Sequence, residues 1–166
     1  MPLEFEGTQE TYANTRVFIK QGRPATNTEA AWETFFGTGA LEITITTVPP
    51  FGGREYADAS LSVVSTGRNI TAKGEFTYPS SEFGVQWLPD QPGQIEALIA
   101  SESYGQWSLA VVSQLGDVKY AAGQVGTFAE SGGGNNDVRV GTMDFKRQSD
   151  VVYALTPVVP VEDDTP

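Results

Sequence analysis

The sequence predicts a mostly β domain with one flanking α-helix, long loops and extended termini. Three observations predict it. Several stretches alternate apolar and polar side chains at period two, with β-branched residues prominent, as half-buried strands do. One stretch only, 90–103, changes to helical spacing. Between these runs, 18 glycines and 10 prolines supply turn and loop chemistry.

Composition narrows the function classes. The chain has 166 residues, 39% hydrophobic and 11% aromatic, which is globular and enough for one domain of roughly 100–200 residues. It has no cysteine, so disulfide and thiolate chemistry are excluded. It has no histidine, which removes the usual general base and the commonest transition-metal ligand. Twenty-one acidic against 10 basic residues give a net charge of −11, a surface that repels phosphate and disfavours tight nucleic-acid binding. The opening MPLEFEG lacks the cationic start of a secretory signal, and no apolar run reaches the roughly 20 residues of a membrane helix. A chain made and kept in a cytosol until used is expected.

The elements follow in order. Residues 1–15 read as a polar N-terminal arm, and Thr15–Lys20 as a short strand. Residues 21–39, with Trp32, Phe35 and Phe36, read as a long loop, or a loop with one helical turn, anchored by aromatics. In ALEITITTV, Leu41, Ile43 and Ile45 share one face and Glu42, Thr44 and Thr46 the other, until Pro49 and Pro50 stop the strand. Residues 51–68 read as a polar connection with a possible short strand near Leu61–Val64. In NITAKGEFTY, Ile70, Ala72, Phe76 and Tyr78 point inward, and Thr71, Lys73, Glu75 and Thr77 outward.

The helix is expected over about Gln91–Ser103, with Asp90 as N-cap, Pro92 in the first turn, and Ile95, Leu98 and Ile99 packed on the body. Strands follow at 106–112, 118–129, 138–147 and 151–155, the first two joined by a turn at Leu115-Gly116-Asp117. The tail from Thr156 is proline-rich and acidic.

Candidate sites reduce to a short set. Gly132-Gly133-Gly134-Asn135-Asn136-Asp137 lacks the lysine and hydroxyl residue of a phosphate loop, and Asn135 breaks the calcium-binding GGxGxD pattern. It reads instead as a hairpin tip, where glycine and asparagine supply positive φ. Asn69-Ile70-Thr71 matches a glycosylation acceptor, a chance match without secretion. Trp32, Trp87 and Trp107 offer either a sugar-binding platform or, more commonly, buried anchors. No nucleophile–histidine pair can form, and the chain is read as no enzyme, with no metal or organic cofactor.

The ordered set of features resembles the tail tube (major tail) proteins of long-tailed bacteriophages. It is carried by ADASLSVVSTGRNITAKGEFTY, by WLPDQPGQIEAL with Asp90, Pro92, Gly93, Gln94 and Leu98, and by the closing run from Trp107 to Tyr153. It covers roughly Ala40 to Leu155, and the first 39 residues have no clear counterpart.

The resemblance implies a β-sandwich or partial barrel that assembles into a ring-shaped β-barrel, with one domain over 1–156 and a tail over 157–166. It implies a structural virion protein whose rings, hexameric in that family, stack into a conduit for DNA. Its partners would be further copies, a tape-measure protein, other tail proteins and non-specific DNA, with no membrane, in the virion after assembly in the host cytoplasm. Glu42, Thr44, Thr46, Thr71, Lys73, Glu75, Thr77 and Asp144 become candidates for the lumen. Gly132, Gly133, Gly134, Asn135 and Asn136 become candidates for an inter-subunit loop. A virion decoration or carbohydrate-binding β-sandwich module is the rival reading.

Overall fold

In a computed structural model, which describes residues 11–114 and 116–154, the sheet is organised around WSLAVV, strand β7 (Trp107–Val112). All six residues are buried, so both faces of this strand are covered. Seven further strands are β1 (Arg16–Gln21), β2 (Leu41–Ile43), β3 (Ile45–Thr47), β6 (Ser81–Gln86), β8 (Val118–Ser131), β9 (Val140–Arg147) and β10 (Val152–Ala154). All pairings are antiparallel, in the order β2-β1-β7-β8-β9-β6-β3, with β10 added beside β8. The remaining strands, β4 (Glu55–Val63) and β5 (Arg68–Thr77), pair only with each other.

Alternation assigns the two faces. Val17, Ile19, Leu109 and Val111 meet Phe83, Val85, Met143 and Phe145 in one buried cluster, the core of a sandwich. The intervening residues Phe18, Ala110 and Tyr120 point the other way, beneath helix α1 (Glu29–Phe35). There Trp32 stacks on Tyr120 at 5.7 Å and Phe36 on Tyr120 at 5.5 Å between ring centres. The Tyr120 hydroxyl is buried without a hydrogen-bond partner among the described residues. Burial, helped by Glu33 and Glu29, pushes its pKa up to about 12.

The two ends of the sheet order are nearly the same piece of chain. β2 and β3 are separated only by Thr44, so residues 41–47 pair with β1 at one end and with β6 at the other. The sheet folds over into two layers without closing into a barrel. At the crossing, the Thr44 N–H is bonded to the Gln91 side-chain oxygen at 3.1 Å, and Gln91 Nε2 donates to the Thr44 hydroxyl at 3.0 Å. The single strand expected over 40–48 is therefore two, interrupted where a side chain takes over the ladder bond.

Several expectations need correction. Residues 21–39 hold a second helix, α1, where a loop with one turn was expected; Thr28 caps it by accepting from Ala31 N–H. Helix α2 (Pro92–Ser101) is capped by Gln91, not Asp90, and Gln91 spends its side chain on Thr44 instead of the helix end. Its inner face is Gly93, Gln94, Ala97 and Ala100. Ile95, Leu98 and Ile99, expected inside, are 47%, 44% and 51% exposed.

The physical reason is close approach. A Cβ on Gly93 would lie 2.1 Å from the Glu42 carbonyl oxygen, so only small side chains fit between α2 and β2. Gln94 is the polar exception, held by bonds to Leu88 N–H and the Gln86 carbonyl.

Strand β6 was not expected, and β9 begins at Val140, two residues later than read. The turn residue Leu115, most of the N-terminal arm and the tail from residue 155 onward lie outside the described residues.

Candidate functional site

The candidate site is a surface, and its main part is the β4–β5 ribbon. In the register Ala59↔Ala72, Leu61↔Ile70 and Val63↔Arg68, one side carries Ala59, Leu61, Val63, Ile70 and Ala72. The other carries Ser60, Ser62, Asn69 and Thr71, then Asp58 opposite Lys73. The ribbon is thus amphipathic, yet among the described residues its apolar side is left exposed: Leu61 is 63% and Ile70 49% exposed. Here the inward placing of Ile70 and Ala72 is overturned, since both are exposed and no described core cluster includes them.

A register shift between Tyr56 and Asp58 corrects a second expectation. It places Phe76 opposite Tyr56, on the Lys73 side instead of the Ile70 side; the Lys73 ammonium sits 4.6 Å over the Tyr56 ring. The alternation read through 69–78 is broken by that one extra residue.

The ribbon's root is clasped to the body. Arg54 makes a two-pronged bond to Asp150, with Nε to Oδ1 at 2.8 Å. It also stacks 4.2 Å over the Phe76 ring. Arg54 holds the Asp150 carboxyl below its ordinary value. Buried Arg147, whose pKa is lowered by desolvation, donates to the Gly53 carbonyl and lies 4.8 Å over the Tyr78 ring. Its Nε has no hydrogen-bond partner among the described residues. Two guanidinium groups and three aromatic rings thus hold the ribbon at its base while its far half stands clear.

The second part is the outer face of α2, with Ile95, Leu98 and Ile99 followed one turn later by Glu102. The third is the glycine loop, which joins β8 to β9 as a hairpin. Asp137 accepts from Gly134 N–H at 2.6 Å, and Arg139 forks onto Glu130 at 2.7 and 3.0 Å below the tip. All of Gly132, Gly133, Gly134, Asn135 and Asn136 are exposed.

The lumen candidates are distributed over two sheets. Glu42, Thr44 and Thr46 lie on the 41–47 segment; Glu42 is engaged by Arg16 through two bonds of 2.9 Å, and Thr44 by Gln91. Thr71 and Lys73 share the polar side of the ribbon, while Glu75 lies at the register shift and Thr77 opposite Glu55. Asp144 is on β9, 3.3 Å from Lys146. Lys73 is not flanked by Glu42, because β2 pairs with β1 and β5 with β4.

Other chemistries find little support among the described residues. Trp32 and Trp107 are buried, and Trp87 packs on Phe128 at 5.3 Å, so no tryptophan platform faces solvent. No three acidic side chains converge to hold a metal, and no helix is long and apolar enough to cross a membrane.

The fold resembles that of chains of contractile injection systems and related particles. A chain of the anti-feeding prophage baseplate, a six-fold symmetrised cryo-EM structure, matches with a TM-score of 0.61 at 11% identity, covering 89% of this chain and 97% of its own. A chain of the sheath/tube terminator of PVC, an extracellular contractile injection system, matches at 0.60 and 8%, covering 90% and 99%. A chain of the extended PVC sheath-tube complex matches at 0.56 and 10%, covering 90% and 93%. No protein-family model matches the sequence, and no curated protein does. At such identities the likeness is one of fold.

Proposed function

We propose that this protein is a structural subunit of a tail-like particle, polymerising into stacked rings that form a tube and deliver DNA into a host. The observation that carries the reading is the β4–β5 ribbon. It exposes apolar residues on an amphipathic pair of strands whose outer edges pair with no other described strand, whereas a lone two-stranded hairpin is marginal in water. Such a ribbon belongs to an assembly that covers it. The folds of the matched chains support the same class, since they come from baseplate, terminator and sheath-tube structures, one of them six-fold symmetrised.

On this reading the lumen candidates remain the polar residues of the 41–47 segment, the ribbon and Asp144. Threonine and carboxylate offer passing phosphates no continuous run of cations. Tape-measure protein and DNA would be the contents of the tube, and the Gly132–Asn136 loop a contact between subunits.

Electron microscopy of the purified protein at rising concentration is the direct test, with sedimentation alongside. Rings or tubes are expected; particles of monomer size at every concentration, with or without other tail components, would refute the reading. Glu75→Lys should leave rings intact and slow DNA ejection most at low salt, where screening is weakest.

A further inference from the structure

We infer that the apolar side of the β4–β5 ribbon of one copy lies on the outer face of helix α2 of the next copy. The inference deepens the ring reading and rests on it. Both surfaces are substantially exposed: Leu61 and Ile70 on the ribbon, Ile95, Leu98 and Ile99 on the helix, each between 44% and 63% exposed. Each is a contiguous row set by regular structure, the ribbon's by its register and the helix's by i, i+3, i+4 spacing. Rows of this kind mark interaction sites more often than scattered surface apolar residues do.

The occupant is a second copy because the two rows complement each other in charge as well as in polarity. The ribbon row ends near its tip in Arg68, directly opposite Val63. The helix row ends in the exposed Glu102, one turn beyond Leu98. Laying Ile70 against Leu98 brings the arginine toward the glutamate and fixes the direction in which the ribbon runs along the helix.

The two surfaces differ in shape, so the contact is heterologous. Each copy offers a ribbon to one neighbour and a helix to the other. A rotation that closes such a contact gives a ring. An amphipathic helix face receiving an extended partner also buries the apolar area that neither surface buries alone, at roughly 25 cal/mol per Å².

The chain's lack of cysteine makes the test clean. Two full-length variants, Ile70→Cys and Leu98→Cys, are purified separately, checked for unchanged thermal unfolding, and oxidised under assembling conditions alone and mixed. The expected result is a disulfide-linked dimer only in the mixture, and a ladder of linked oligomers from the chain carrying both substitutions. Arg68→Glu should lose assembly and regain it when combined with Glu102→Arg. Rings that form while the mixed cysteines stay unlinked would overturn this contact and leave the ring reading standing. Linkage of Leu98→Cys to itself would overturn it too, by making the helix contact symmetric. Chains that stay monomeric in every condition would defeat the ring reading itself.

Discussion

The two helices are opposite solutions to the same problem. Helix α1 buries its largest side chain, Trp32, which with the C-cap Phe36 stacks on Tyr120 against β7 and β8. Helix α2 buries its smallest, Gly93, Ala97 and Ala100, and shows its isoleucines and leucine to the outside. The first helix serves the fold of the chain that carries it. The second is held close by small residues and keeps its apolar row for something else. An apolar stripe therefore tells that a face will be covered, and leaves open by what.

Substitutions can break or sharpen this contrast. Trp32→Ala removes a fully buried ring and should cost about 3–5 kcal/mol in urea unfolding of the monomer. Gly93→Ala forces a Cβ into the Glu42 carbonyl and should cost about 1–3 kcal/mol. A neutral Gly93→Ala would mean that α2 sits less tightly on β2 than described.

Tyr120→Phe removes a buried hydroxyl that has no partner, and should stabilise by about 1 kcal/mol at neutral pH. It also carries a pH signature. The folded-state pKa is raised, so the tyrosine's stability contribution is fully present below about 10, its unfolded value, and is lost as pH rises toward about 12. The wild-type protein should weaken over that alkaline window and the phenylalanine variant should weaken less. Identical alkaline melts would break the assignment.

Leu98→Ala is the smallest change for the monomer, about 0.5 kcal/mol, because the side chain is nearly half exposed. Its effect should appear in assembly instead. A loss of several kcal/mol in the monomer would place Leu98 in the core and erase the contrast between the helices.

Much of the strand content was legible because period-two alternation survives wherever one face is buried. Leu41, Ile43 and Ile45 do meet the core, and the glycine run does join two strands as a hairpin. What was not legible has physical causes. The face of α2 could not be chosen, since small residues beside a glycine signal close packing only once the partner strand is known. The ribbon's alternation was read correctly near Ile70 and then lost its phase, because a register shift leaves no mark in a single sequence. Helix α1 was hidden in a polar loop, although Thr28 before Glu29 is a capping signal that was there to be used. Strand β6 shows Phe83 and Val85 at period two but is short and carries Gly84. Trp32 and Trp107 sit in the interior, as the common case would have it, and Trp87 is half-buried against the core.

The seven residues from Leu41 to Thr47 bind the two ends of one sheet, and this dictates an order of events. Their partners are β1, early in the chain, and β6, and each of those in turn leans on a strand that comes much later, β7 or β9. Within the large sheet, the run β7-β8-β9 is a local meander, its contacts made between near neighbours in sequence. During synthesis the first hundred residues therefore emerge before β7, β8 and β9, the strands that complete their sheet. A chain built this way cannot complete its eight-stranded sheet before β7, β8, β9 and β10 have left the ribosome.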